Sequence, residues 1–150
     1  MIIMFIESLI KIFKKNLNKL KVEIELYDNE SHLWLTEGEV TNATGNLTLH
    51  IVGNLNHYIG ATLGNTGYIR KRDLEFALKS VSRIELLKQI DDTKAVVENT
   101  LRQLSEETIQ KEYPLLVFKE SMTTGFFLIH LTTHLAYHLG QINYHRRLLD

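Results

Sequence analysis

Three histidines have the residue type and spacing of a transition-metal site. His134 and His138 lie four residues apart in an apolar C-terminal segment, and on a helix residues i and i+4 share one face, about one turn apart. Their imidazoles can therefore converge on one point. A third imidazole from His50, in an upstream apolar segment, would complete a three-nitrogen set. Such a set leaves one coordination position open, as in catalytic rather than structural metal sites.

The spacing leaves alternatives open on the C-terminal helix. His130 extends the same stripe by one turn, with a drift of about 40° around the helix axis, so His130 with His134 is as acceptable a pair as His134 with His138. Pairs at i and i+4 also occur on solvated helix faces, where they bind nothing.

The remaining histidines are weaker candidates for metal ligands. His57 lies seven residues after His50, on nearly the same face but about 10 Å along the axis, so it is a reserve ligand or an outer-sphere group. We expect His32 and His145 to be ordinary surface or interface residues.

The residues and motifs that several other kinds of active site require are absent from the sequence. The chain has no cysteine, which excludes disulfides, thiolate ligands and a cysteine nucleophile. The Glu-x-x-His pairs of di-iron bundles are missing, as are the zincin, serine-hydrolase and P-loop motifs. We expect no carboxylate base beside the three histidines, so the catalytic residues stay unassigned. The open metal position itself would supply the electrophile or activate the nucleophile.

Composition predicts one domain over residues 1–150. Seventeen Lys plus Arg against 18 Asp plus Glu give a formal net charge of -1, so no basic field favours nucleic acid as a partner. The apolar N-terminal run is interrupted by Glu7 and Lys11 and lacks the features of a signal peptide. No apolar stretch is long enough for a membrane span. We expect a soluble cytoplasmic protein.

The elements that must position the histidines are helices. Apolar residues recur at steps of three and four, and the single proline is Pro114, which is consistent with long uninterrupted helices. Ser80 or Ser82 can begin the third helix, with a stripe at Ile84, Leu87, Ile90, Val97, Leu101 and Leu104. The pattern predicts an all-α fold, an antiparallel-type four-helix bundle, with helices at about 6–24, 44–63, 82–104 and 121–149.

The connections are predicted to be polar loops. Within the segment 27–44, Leu33, Trp34 and Leu35 are expected to anchor the chain to the core. The glycine-containing segment 64–73 is a loop, with Asp73 a plausible N-cap for a short turn that holds Phe76.

Three segments carry a family resemblance. The run His-x-x-x-His-x-Gly-Gln-Ile from His134 to Ile142 resembles the C-terminal signature of the DinB-like superfamily. The segment from Gly45 to Leu55 is similar to the second-helix motif of the same group. More narrowly, Arg70 to Phe76, with the pattern Arg-x-Arg-Asp-x-Glu-Phe, resembles a branch described as a domain of unknown function.

The resemblance implies a bundle of the DinB/YfiT-like type, usually a homodimer, with a divalent ion such as zinc or nickel on His50, His134 and His138. Some relatives, the YfiT-like and mycothiol- or bacillithiol-dependent members, look like thiol S-transferases or isomerases that use the metal to lower the thiol pKa. The first hypothesis is therefore a metal-dependent transferase that joins a low-molecular-weight thiol to an electrophile.

Physical chemistry explains why such a site suits thiol transfer. A cation on three imidazoles stabilises a thiolate, the reactive nucleophile, without any protein cysteine. Gln141 could orient the ligand, and Asn54 could do the same, although a helix-to-helix hydrogen bond is the alternative for both. Arg70 and Arg72 could bind a carboxylate of the thiol cofactor, and their alternative is a solvated loop.

Two competing hypotheses use the same residues differently. The first is a non-catalytic dimeric helical bundle, related to a stress response, that retains a structural or vestigial metal site. The second is a metal-free bundle whose histidines are polar core residues. The sequence names neither the metal nor the substrate.

Overall fold

The protein is all-helical in its computed structural model, which describes residues 1–150. No strand is present; two isolated bridges join Glu37 to Val40 and Glu112 to Thr123. The all-α prediction is therefore confirmed. The elements are α1 (Ile2–Glu25), a 3-10 turn (Glu30–Trp34), α2 (Thr44–Leu55), a π-helix (Asn56–Ala61), α3 (Thr62–Gly64), α4 (Arg72–Ala77), α5 (Arg83–Arg102), α6 (Glu106–Gln110) and α7 (Thr124–Leu149).

Helix α1 has the buried face that its sequence predicts. Apolar side chains at steps of three and four point into the core, and lysines lie between them on the outer side. This spacing matches the 3.6-residue period of an α-helix, so one stripe is shielded from water along the whole element. The buried residues of α1 are Ile6, Leu9, Ile10, Phe13, Leu17, Leu20 and Ile24.

Side-chain caps begin two other long helices, at the predicted Ser82 for α5 and at Thr123 for α7, whose start was expected near residue 121. Ser82 accepts a hydrogen bond from the Glu85 backbone N–H at the start of α5, and Thr123 does the same for Phe126 at the start of α7. A hydroxyl at this position satisfies one of the free N–H groups of the first turn.

Two details of the predicted helices are wrong. Ile84, placed on the buried stripe of α5, is 80% exposed, and the buried face instead includes Leu86, Thr93 and Thr100. The apolar spacing was misread because threonines occupy core positions. Asp73 is not an N-cap: α4 begins at Arg72 after Lys71, with no side-chain cap, so Asp73 lies inside the first turn.

The long helices pack so that α2, which carries His50, contacts α7, which carries His134 and His138. Helix α1 contacts α5 and α7, and α2 contacts the same two helices. Helices α2 and α7 run antiparallel, since His50 meets His134 while Tyr58 packs on Phe127. Long connections allow this order, in which α1 and α2 are not adjacent.

The connection after α1 is only partly anchored. Leu33 is fully buried, whereas Leu35 is 39% exposed. Trp34 covers Gly45 at the start of α2 so closely that an added Cβ would lie 2.5 Å from the indole ring. Since real Cβ atoms do not approach so closely, Gly45 is required for this contact.

The second predicted helix is present without a break, but it is not α-helical throughout. Residues Asn56–Ala61 form a π-helix, so a segment expected to be regular up to about residue 63 contains an extra residue per turn. Such insertions often occur at functional sites. This one brings Tyr58 against Phe127, with ring centroids 5.1 Å apart. None of the helices is both long enough and apolar enough to cross a membrane.

Candidate metal centre

The structure brings His50, His134 and His138 together. Nε2 of His134 lies 3.2 Å from Nε2 of His50 and 3.1 Å from Nε2 of His138. One ligand atom of each histidine lies within 4.8 Å of the other two. His50 is buried, and the two histidines of α7 are half-buried. The cluster is therefore partly open to solvent on the α7 side.

The hydrogen bonds at the outer nitrogens decide where the ring protons lie. Nδ1 of His50 donates to Oε1 of Glu75 at 3.0 Å, and Nδ1 of His138 donates to Oε1 of Gln141 at 2.7 Å. A neutral imidazole carries one proton, so in both rings Nε2 is left with a free lone pair. Both lone pairs point toward Nε2 of His134.

Such a set of nitrogens is poorly satisfied by hydrogen bonds alone. A proton on Nε2 of His134 would serve only one of its two neighbours, and the Nε2 lone pair of the other neighbour would be left without a donor. Nitrogens bound at about 2.0–2.1 Å to one tetrahedral ion lie about 3.4 Å apart. The two contacts made by His134, 3.1 and 3.2 Å, are close to that separation, and the three ligand atoms all lie within 4.8 Å of one another, so the residues present fit a divalent transition metal.

Burial favours the neutral, metal-binding form of the two α7 histidines, His134 and His138. Burial, together with the neighbouring His138, lowers the pKa of His134 to about 4. Burial also lowers the pKa of His138, although the hydrogen bond to Gln141 acts in the opposite direction. Neutral imidazole is the ligand form of histidine, so at neutral pH little proton displacement is needed before an ion binds.

A carboxylate lies beside the cluster, which corrects the expectation that none would. Glu75 of α4 is only 5% exposed and accepts the hydrogen bond from His50. Burial alone would raise the pKa of Glu75, but its hydrogen bonds to His50 and Arg70 outweigh burial and hold that pKa below its usual value. The available sequence signal was the Arg-x-Arg-Asp-x-Glu run, in which a charged side chain occupies a core position.

The other candidate ligands lie outside the cluster. His130, one turn before His134, packs edge-on against Phe118, with ring centroids 4.8 Å apart, and it is not part of the converging set. His57 belongs to the π-helix and packs against Tyr58. Of the pairs that the spacing allowed on α7, the structure brings His134 and His138 to His50.

The three predicted cofactor-binding residues have different surroundings. The Arg70 side chain is only 10% exposed and binds Glu75 through Nε and Nη2, both at 2.8 Å. Arg72 is exposed, with its guanidinium 5.4 Å from the Phe76 ring centroid. Gln141 is exposed and accepts from His138. Their contact with a cofactor stays a prediction.

The helix-to-helix hydrogen bonds considered for Gln141 and Asn54 are not formed. The partner of Gln141 lies on its own helix. Asn54 is 6% exposed, and its Oδ1 is buried without a hydrogen-bond partner. Asn54 follows His50 by one turn of α2, so an unsatisfied amide oxygen belongs to the same face of the helix as this candidate ligand.

His145 is neither a surface nor a metal-binding residue. It is 3% exposed, its Nε2 donates to the Leu35 carbonyl at 2.9 Å, and its Nδ1 lies 2.7 Å from the Tyr27 hydroxyl. The prediction of a surface role is wrong because a loop, invisible in the helical pattern, covers this face of α7. His32, by contrast, pairs with Asp150 near the surface.

An all-helical chain with three converging histidines defines a candidate metal-binding protein. The chain belongs to the family described as "Protein of unknown function (DUF1572)", whose model matches residues 3–150, and this family is DinB-like. No curated protein matches the chain.

Proposed function

We propose that the protein binds one divalent transition metal ion, zinc or nickel, on His50, His134 and His138. The observation that carries this proposal is the convergence of three Nε2 atoms while the Nδ1 atoms of His50 and His138 donate elsewhere. Three nitrogen ligands leave a position for a substrate, which is the arrangement of catalytic sites.

The reaction we propose is transfer of a low-molecular-weight thiol to an electrophile. When bound, the ion would lower the pKa of the thiol and supply a thiolate at neutral pH. The sulfur then forms a bond to the electrophilic carbon, the leaving group departs with its electron pair, and the thiol proton passes to solvent. The protein supplies no cysteine, so the thiol must come from the substrate side.

Residues around the centre support a polar ligand. Arg72 is exposed and makes no salt bridge, so its charge is free to bind a carboxylate of the thiol. Arg70 keeps Nη1, and Gln141 keeps Nε2, for further contacts, since their other groups are occupied by Glu75 and His138. We propose these three as cofactor-binding residues.

Cobalt(II) titration tests the metal and the thiol together. The wild-type protein should develop visible absorption that saturates at about one equivalent of cobalt, and a small thiol such as glutathione should add a sulfur-to-cobalt band. His138→Ala should lose both signals, whereas His130→Ala should keep them. Saturation of the cobalt spectrum without any response to thiols would overturn the transferase proposal and leave the metal site.

A structural metal is the competing function, and one observation favours it. Two ligands come from α7 and one from α2, so an ion would cross-link two helices that are far apart in sequence. A non-catalytic bundle with such an ion, serving a stress response, would show a large metal-dependent gain in stability and no reaction with thiols.

We further propose that residues 1–150 form one bundle domain of the DinB/YfiT-like type and that the protein is a homodimer. Support for the dimer comes from α7, whose outer face carries large exposed side chains at steps of three, four, seven and eight residues. These are Phe126, Ile129, Tyr137, Tyr144 and Leu148. An apolar stripe of this length on one helix is typical of an interface.

A further inference from the structure

Behind His50 lies a buried ion pair, Glu75 with Arg70, whose residues are not among the three proposed ligands. Glu75 and Arg70 have side chains only 6% and 10% exposed. The Glu75 carboxylate accepts from His50 Nδ1 at 3.0 Å and from Arg70 Nε and Nη2, both at 2.8 Å. A carboxylate that accepts the outer N–H of a metal-binding histidine fixes its tautomer and makes it a stronger donor.

The fold is built to hold this carboxylate in place. A Cβ at Gly53 would lie 2.0 Å from Glu75 Oε2 and 2.7 Å from its carboxyl carbon, so the side chain fits only because α2 has a glycine there. Asn46 Nδ2 donates to the backbone carbonyls of Glu75 and Leu78 at 2.9 and 2.8 Å. Two residues of α2 thus fix the position of α4 against the helix that carries His50.

The pairing with Arg70 determines the charge that the centre presents. Neutral imidazoles contribute none, and the bidentate contact cancels the Glu75 charge at close range. A divalent ion on the triad would therefore keep its full positive charge toward a fourth ligand.

We propose that Glu75 is the positioning residue for His50 and that Arg70, by balancing Glu75, makes the centre select a small anionic ligand, such as a thiolate or azide, over a neutral one. This inference rests on the proposed metal site. It separates two effects: Glu75 sets how tightly the metal binds, and Arg70 sets how tightly the metal holds an anion.

Glu75→Gln tests the first effect. Zinc affinity, measured by competition with a chromogenic chelator, should fall about 10- to 100-fold, and the visible spectrum of the cobalt(II) form should change because His50 is reoriented. Glu85→Gln, an exposed position on α5, is the matched control and should leave both unchanged. Wild-type affinity in Glu75→Gln would overturn the proposal.

Arg70→Gln tests the second effect. Azide titrated into the cobalt(II) form should bind roughly tenfold more weakly, as expected for one uncompensated negative charge within about 10 Å near a protein surface, while zinc affinity does not fall. Unchanged azide affinity, or a loss of zinc affinity equal to that of Glu75→Gln, would overturn the charge assignment.

Two further readouts keep the test decisive. Circular dichroism shows whether each variant folds. If neither does, Gly53→Ala takes their place, because it displaces the Glu75 carboxylate without altering any charge. Wild-type zinc affinity in Gly53→Ala would refute the role of Glu75. If the wild-type protein binds no metal, the proposed function fails. If it binds metal and the variants equal it, only this inference fails.

Discussion

Nε2 of His50 lies 3.2 Å from Nε2 of His134, although the two residues are 84 positions apart in the chain. Because His50 donates through Nδ1 to Glu75, its Nε2 offers only a lone pair to the centre. The fold thus brings nitrogen acceptors together where an ion fits better than a proton.

Metal binding should raise the thermal stability of the wild-type protein. With free zinc at about 100 times Kd, binding to the folded state alone adds about 2.7 kcal/mol, which corresponds to an increase of roughly 5–10 °C in Tm for a domain of this size. Differential scanning calorimetry with and without zinc measures it. His138→Ala should lose the zinc-dependent increase. If the Tm of this variant without zinc is close to that of the wild-type protein without zinc, the three histidines are not needed to hold the fold together.

Gly53→Ala should weaken both the fold and the metal site. The new Cβ would overlap the Glu75 carboxylate, and moving that side chain disturbs a buried ion pair, for which a loss of about 1–3 kcal/mol is expected. Urea unfolding and zinc competition measure the two effects.

Gly140→Ala on α7 is the control for that substitution. Nothing lies within 4 Å of the Cβ it would add, so the variant should bind zinc normally and gain about 0.5–1 kcal/mol from better helix propensity. Equal behaviour of the two alanine variants would refute the steric account.

The Tyr27 hydroxyl should make stability fall at high pH. Burial raises the pKa of Tyr27 to about 12, against about 10 for an unfolded tyrosine. Above pH 10 the unfolded chain loses this proton first, so stability present below pH 10 is lost as the pH rises to 12, by on the order of 2–3 kcal/mol.

Tyr27→Phe isolates this contribution. The variant should be less stable at pH 8, because His145 Nδ1 loses its donor, and its stability should decline less steeply between pH 10 and 12. A decline in Tyr27→Phe parallel to that of the wild type would contradict the assignment.

The proposed homodimer should depend on the outer face of α7. Light scattering coupled to size exclusion should give about twice the chain mass of 17.4 kDa, and Tyr137→Glu should give a monomer because the charge would be buried at the interface. Ile84→Glu, at an exposed apolar position on α5, should remain dimeric. A monomeric wild-type protein would refute the dimer.

The sequence predicted what depends on local periodicity. The α1 stripe and the start of α5 at Ser82 follow from apolar spacing and a capping hydroxyl, which are properties of neighbouring residues. The stripe of α5 was misread because Thr93 and Thr100 are buried, and a threonine that bonds a nearby carbonyl enters the core more easily than its type suggests.

The parts that were missed depend on contacts between distant segments. Glu75 is buried only because Arg70 and His50 meet it, and no spacing rule connects residues 25 positions apart. The π-helix has no marked sequence signal. The histidine cluster could be proposed, but spacing alone left His130 and His138 as alternatives; the family resemblance implied His138, and the packing of α7 on α2 brings His138 to His50.

Elemental analysis of protein purified without a histidine tag tests the central claim most directly. The wild-type protein should contain about one zinc or nickel ion per chain, and His134→Ala, with folding checked by circular dichroism, should contain none. Absence of metal from the wild-type protein, even after incubation with divalent ions, would contradict a metal centre at these three histidines.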